Sequence, residues 1–261
     1  MKLACNIGNR LGSISLVNSK QNGIMVSTES ATILSIQVGQ PQVVVAPAGQ
    51  SSDKTWTTGF LKHSVAGPIH LGRLNFDGDG QADSKHHGGR DKAVCVYPAT
   101  HYPLWRSELR LDFESGGFGE NLTVVGLAET NVCIGDIWEI GNAKVQVSQP
   151  RQPCWKLSRR WGINDLAVQV QRTGRTGWYL RVLQEGEVEA GSPITLAERP
   201  HPEWTIDAAN ELMHRDKRNV AAAEILGCLP ELSASWRTTL ARRCQKQLDS
   251  TSEQRLFGEV Q

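Results

Sequence analysis

The side chain with the clearest chemical potential is Cys154. It closes the run Ser148-Gln149-Pro150-Arg151-Gln152-Pro153-Cys154, bracketed by two prolines and directly after a strand-like segment. Loops at strand ends are where a rigid scaffold places functional side chains. The guanidinium of Arg151 favours the thiolate, the form of cysteine that attacks or ligates. The alternative is a buried, inert thiol, a fate that suits Cys95, Cys133, Cys228 and Cys244 better.

The densest polar cluster is Lys85-His86-His87-Gly88-Gly89-Arg90-Asp91-Lys92. Adjacent glycines let backbone N–H groups approach an anion, and Lys85, Arg90, Lys92 and a histidine neutralise it. A solvated glycine turn is the competing reading. Neighbouring histidines on a strand point to opposite faces, so only one of His86 and His87 meets a given pocket. Phe118-Gly119-Glu120-Asn121-Leu122 offers an amide, Asn121, able to donate and accept along a heterocycle edge; a turn-stabilising asparagine explains it equally well. Asp77-Gly78-Asp79-Gly80-Gln81-Ala82-Asp83 fails as a calcium loop at Gln81, Ala82 and Gly88, and reads as tight turns instead. Thr173-Gly174-Arg175-Thr176-Gly177 lacks the form of a phosphate loop and follows a helix.

The elements that carry these residues are mostly short strands. Ile33–Val38, Gln42–Ala46, Ala93–Tyr97, Ile137–Ile140, Ala143–Val147, Trp178–Leu183 and Ile194–Ala197 have strand composition, and Ser64–Phe76 is extended with a break at Gly67-Pro68. Gly141-Asn142 marks a hairpin with a primed turn. Tyr102, Trp105 and Leu109 share one face of a helix after Pro98, and a second helix runs from an Asp165 N-cap to about Arg172. This pattern predicts a mainly β fold, a closed or partly closed barrel with a few helices. After Pro200-His201-Pro202 the chain turns helical, over 205–215, 219–226 and 231–248. The expected organisation is an extension at 1–32, a barrel domain at 33–200, a small C-terminal three-helix module at 203–250 and a tail at 251–261.

Composition excludes several classes of function. Across 261 residues, 28 Lys+Arg face 27 Asp+Glu for a net charge of +1, which lacks the footprint of a general nucleic-acid binder. From 205 onward, eight basic side chains meet eight acidic ones, so a DNA-binding tail is disfavoured as well. No apolar run is long enough to span a membrane, and asparagines and glycines interrupt any signal-peptide core. The six cysteines form neither a C-x-x-C pair nor a zinc or iron–sulfur spacing, which favours a reducing cytoplasm. Exposed faces on three terminal helices are compatible with a homodimer.

Taken in order, Gly78–Asp83, His87–Ala93, Tyr97–Trp105, Gly117–Leu122, Ile134–Asp136, Ser148–Cys154 and Thr173–Tyr179 resemble the MOSC domain. The likeness is closest to its 6-N-hydroxylaminopurine resistance branch, the YiiM-like proteins, and continues through their three-helix module to about Leu248. The resemblance implies a MOSC-type β-barrel that binds molybdenum cofactor in its molybdopterin form. Carried over by position, Cys154 is the protein thiolate on molybdenum, a soft ligand for such a centre. For the pterin and its phosphate the expected partners are His87, Arg90, Lys92, Asn121 and Arg151. The implied activity is reduction of N-hydroxylated compounds to amines, detoxifying base analogues. With no cysteine set for a [2Fe–2S] cluster, the electrons would come from a separate flavin or iron–sulfur reductase. Two other classes compete: a cofactor-binding or sulfur-carrier module with a persulfide on Cys154, and a thiolate hydrolase pairing Cys154 with a histidine.

Overall fold

Alternation of inward and outward side chains builds the central hairpin. Trp138 and Ile140 point inward on one strand, opposite Val145 and Ala143 on the next. Gly141 closes the turn at φ +55°, in the left-handed region.

In this computed structural model, residues 30–45, 55–83, 87–245 and 252–257 are described. The readings made on 1–29, on Lys85 and His86, on 246–251 and on 258–261 fall outside them. Thr32, placed in the extension above, already begins the first strand.

The strands are β1 (Thr32–Val38), β2 (Gln42–Val45), β3 (Thr55–Thr58), β4 (His63–Ser64), β5 (Ile69–Leu71), β6 (Val94–Pro98), β7 (Leu122–Val125), β8 (Ile137–Ile140), β9 (Ala143–Pro150), β10 (Trp178–Gln184), β11 (Gly186–Val188) and β12 (Ile194–Glu198). The helices are α1 (His101–Leu109), α2 (Trp155–Trp161), α3 (Leu166–Thr173), α4 (Ile206–His214), α5 (Val220–Gly227), α6 (Ala234–Cys244) and α7 (Ser252–Phe257). Eight strands form one sheet in the order β12-β8-β9-β10-β6-β7-β1-β4, antiparallel except at β6–β7. The sheet curls into a half-barrel. A bridge between Thr32 and Pro193 ties β1 back to the start of β12. Two small two-stranded sheets lie beside it, the β2–β3 hairpin and the pair formed by β5 and the sequence-distant β11. No helix among the described residues is long and apolar enough to cross a membrane.

Two apolar cores hold this frame. The larger fills the curled sheet and continues without a break into α4, α5 and α6 through Ile206, Leu212, Leu226, Trp236 and Leu240. The second is aromatic: Tyr97, Tyr102, Trp105, Phe113 and Phe118 gather with Leu157, Leu166 and Val170. Each large side chain removed from water there contributes about 1.5–3 kcal/mol. Leu157, Leu166 and Val170 fasten α2 and α3 to this aromatic core, and α2 begins directly after Cys154.

Candidate functional site

A cleft of about 630 Å³, counting the space open at its mouth, lies where β6, β9 and β10 meet the loops before β4 and after β5. Cys154 lines it together with His87, Lys92, Cys95, Asn121, Arg151, Lys156 and Tyr179; Thr58, Phe60, Lys62 and residues 80–83 complete the lining.

Cys154 is placed from both sides. The Arg151 amide donates to the Gly177 carbonyl at 3.0 Å, continuing the β9–β10 pairing past Pro150. On the other side, the Leu157 amide donates to the Cys154 carbonyl at 3.0 Å as α2 begins. The thiol residue is 7% exposed, at a wall of the cleft instead of deep in either core.

Arg151 is the buried cation of the site. Its Nη2 donates to the Phe118 carbonyl at 2.7 Å, and its Cζ lies 5.9 Å from the Phe60 ring centroid. Its Nη1 is buried with no hydrogen-bond partner among the described residues. Burial disfavours the charge, and the titratable groups around it, Cys95 first, favour it only when ionised; a guanidinium keeps its proton throughout the ordinary pH range, so a buried cation remains. Its counterpart Cys95 is the buried thiol of the pair, pushed up to about 11 chiefly by burial. Tyr179 is likewise raised, by burial first, and stays a neutral phenol.

Lys92 ends the 3-10 turn Arg90–Lys92 and lies 6.0 Å from the Tyr179 ring centroid. Burial lowers its pKa, while Asp91, Asp83 and Cys154 pull the other way. His87 donates its backbone N–H to the Asp83 carbonyl at 2.9 Å and is pushed down to about 4, by burial and then by Lys156 and Lys92. At neutral pH it presents an uncharged imidazole beside cations.

Two expected partners behave differently. Arg90 starts the same turn as Lys92, but its side chain is exposed and does not line the cleft. With three residues per turn, positions one and three of a 3-10 turn diverge, and only Lys92 turns inward. Asn121 reaches the cleft wall, yet its amide is engaged: Nδ2 donates to Asp79 Oδ2 at 2.9 Å and to the Gln37 carbonyl at 3.2 Å, and Oδ1 accepts from the Cys95 amide at 3.1 Å. Its polar groups brace the wall by tying three segments distant in sequence, which is neither a free heterocycle edge nor the stabilising of a local turn.

Four features escaped the sequence reading. Lys62 joins the wall, paired with Asp79, whose Oδ1 also accepts from the Gly39 amide at 3.0 Å. The Asp79 N–H closes a backbone turn onto the Phe76 carbonyl at 3.1 Å, but its carboxylate ties segments distant in sequence instead of bracing a tight turn within the Asp77–Asp83 run. Lys156 enters because α2 starts at Trp155; the stretch has a helix stop at Gly162, φ +69°, that could have signalled it. Glu120 is fully buried and accepts from Gly116 N–H at 2.7 Å, Phe118 N–H at 3.1 Å, Thr123 Oγ1 at 2.9 Å and the Tyr102 hydroxyl. It shapes the loop that presents Phe118 to Arg151. Finally, the β2–β3 hairpin is clasped over α2 by Trp56 against Trp155, with ring centroids 5.8 Å apart.

The donor set fits an anionic, soft-metal group: a thiol, a charged guanidinium with an unsatisfied N–H, three lysines (one of them, Lys62, paired with Asp79) and a neutral imidazole around one cleft. Cys133, Cys228 and Cys244 do not line it.

Residues 83–195 match the model of the MOSC domain, and residues 204–247 match the YiiM-like 3-alpha helix domain. The protein YflK of Bacillus subtilis is 44% identical over 215 residues, covering 82% of this chain and 95% of that protein. A protein of Gibberella moniliformis called Reductase is 39% identical over 154 residues, which cover 58% of this chain and 27% of that one. The crystal structure of YiiM from Geobacillus stearothermophilus superposes with a TM-score of 0.70 at 39% identity, covering 82% of this chain and 99% of that chain. The likeness runs along most of the chain, and the chain belongs to the MOSC family, in its YiiM-like branch.

Proposed function

We propose that this protein is a molybdenum-cofactor-dependent reductase of N-hydroxylated compounds, 6-N-hydroxylaminopurine among them, and that it removes base analogues by converting them to amines. The observation that carries the reading is the meeting of Cys154 with the buried, incompletely bonded Arg151 in one cleft. The fungal relative called Reductase points to the same reaction class.

In this reading Cys154 supplies the protein thiolate to the metal. Arg151, Lys92 and Lys156 meet the negative charge of the pterin phosphate, and an uncharged His87 leaves a hydrogen-bonding nitrogen near it. When bound, the cofactor supplies two-electron removal of oxygen from the N–OH group. The protein's part is to orient the substrate between Phe60 and Tyr179, to hold these cations in place and to limit water in the cleft. The chain's cysteines lack iron–sulfur spacing, so a separate flavin or iron–sulfur reductase delivers the electrons.

The test is metal analysis of protein made in a host that synthesises the cofactor. The expected result is molybdenum near one equivalent in the wild type and its loss, with N-reductive activity, in Cys154→Ser. Full activity in Cys154→Ser refutes the mechanism. A single-sulfur adduct on Cys154 without metal or turnover would assign the protein to sulfur carriage instead.

A further inference from the structure

The segment Gln152-Pro153-Cys154 has an unusual anchoring problem. Proline carries no amide N–H, so hydrogen bonding can fix Pro153 only through its carbonyl. That carbonyl accepts from Arg255 Nη1, on α7, far along the sequence. The second arm of the same guanidinium, Nη2, donates to Gln171 Oε1 on α3 at 2.6 Å. One planar fork thus ties three pieces together: the terminal helix, α3, and the residue before the cleft thiol. The α7 helix also packs against α2, whose first residue follows Cys154. Pro153 itself is buried, so the donor reaches a carbonyl that water meets poorly. Residues 252–257 lie beyond the stretch that matches the three-helix model.

We propose that Arg255 is a positioning residue, which fixes the Pro153 carbonyl and so sets the place of Cys154 in the cleft. The role rests on the reading of Cys154 as the functional thiol, but it has consequences that do not pass through the cofactor. With the fork intact, the Cys154 residue is 7% exposed. Without it, the loop between Gly177's grip on Arg151 and the start of α2 gains freedom, and the thiol spends more time accessible.

The experiment uses the full-length chain from a host lacking the cofactor. Iodoacetamide labelling at one fixed pH is followed cysteine by cysteine with peptide mass spectrometry. Cys228, exposed, and Cys95, buried in the same cleft, are internal references. Arg255→Ala is expected to raise the Cys154 labelling rate about tenfold, an effect of about 1.4 kcal/mol, with Cys95 and Cys228 unchanged. Arg255→Lys, which still donates to one carbonyl, should recover much of the protection. Gln171→Ala, which leaves the Pro153 contact in place, should give a smaller rise and serves if Arg255→Ala folds poorly. An unchanged Cys154 rate in Arg255→Ala, or Cys95 rising in step with Cys154, overturns the proposal. In protein loaded with cofactor, Arg255→Ala should lower kcat with little change in KM. Failure of the functional reading appears separately, as a Cys154→Ser protein that keeps metal and activity whatever Arg255 does.

Discussion

Replacing Glu120 with glutamine tests whether the cleft is built on a buried carboxylate. One oxygen, Oε1, accepts from the Tyr102 hydroxyl, Gly116 N–H and Thr123 Oγ1; the other, Oε2, accepts from Phe118 N–H. A glutamine oriented to keep the richer side puts its own NH₂ against the Phe118 N–H, donor facing donor. The change removes one bond to a charged group, about 1.5–3 kcal/mol, and strands a buried N–H, about 1–3 kcal/mol. The expected loss is about 3–5 kcal/mol. A chain of this length unfolds in urea with a slope near the upper end of the usual range, about 3 kcal/mol per molar, so the midpoint should fall by roughly 1–1.7 M. Because the Phe118 carbonyl also receives Arg151 Nη2, cofactor retention should fall with stability in folded Glu120→Gln protein. Tyr102→Phe, which removes one of four donors and strands none, should lose less than half as much. A midpoint shift below about 0.3 M for Glu120→Gln would show that the carboxylate is not what holds the loop.

Acidification should weaken the fold through two histidines. His87 is pushed down to about 4 and His214 to about 3, each by burial first and then by nearby cations. Their folded values lie below the ordinary 6.5, so the unfolded chain binds more protons in between. Their contribution is complete above about pH 6.5 and is lost as pH falls toward 4 and 3; urea midpoints at pH 7 and 5 should differ, and His214→Gln should shrink the difference. Gly177→Ala should be severely destabilising: the position has φ +68°, and a Cβ would sit 2.2 Å from the Val96 carbonyl oxygen. The left-handed penalty alone is about 1–2 kcal/mol, and thermal unfolding reads the total. Trp56→Ala should free the β2–β3 hairpin from Trp155, seen as faster proteolytic cleavage at that hairpin with little change in the midpoint of global unfolding.

Much of the fold was legible because its signals are local. The Gly141-Asn142 turn, the β9 strand feeding Pro150, and the helices after Asn219 and Ser233 each carry their own marker. Asn219 Oδ1 accepts from Ala222 N–H at 3.1 Å, and Ser233 Oγ accepts from Trp236 N–H at 3.3 Å. Cys154 and Arg151 were legible for the same reason, since two prolines and a strand end fix their surroundings within seven residues. Asn121 was not, because its role depends on Asp79 and Gln37, both far away in sequence. Arg90 and Lys92 have equal claims in a string of letters; the handedness of one short turn separates them. Asp165 precedes α3 as expected but does not cap it, its carboxylate accepting instead from Gln169 Nε2 at 2.9 Å.

The C-terminal helices bear on the cleft more directly than an appendage would. Asp91, between Arg90 and Lys92, accepts from Arg181 Nη2 on β10 at 2.8 Å through Oδ1. Through Oδ2 it accepts from the Ala234 N–H at the start of α6 at 3.0 Å. Its carbonyl takes the Ser148 hydroxyl on β9, and the Ser148 carbonyl in turn takes the Ser233 N–H at 2.9 Å. The turn that aims Lys92 inward is therefore held between the barrel and α6. Asn210 Nδ2 on α4 donates to Thr176 Oγ1 at 2.8 Å, one residue before the Gly177 that grips Arg151. With Trp236 and Leu240 inside the same core as Val145 and Val147, taking the helices away would open that core and loosen two of the cations around Cys154. This physical coupling explains why a barrel with its own thiol and its own cleft carries three further helices: they complete the wall from behind.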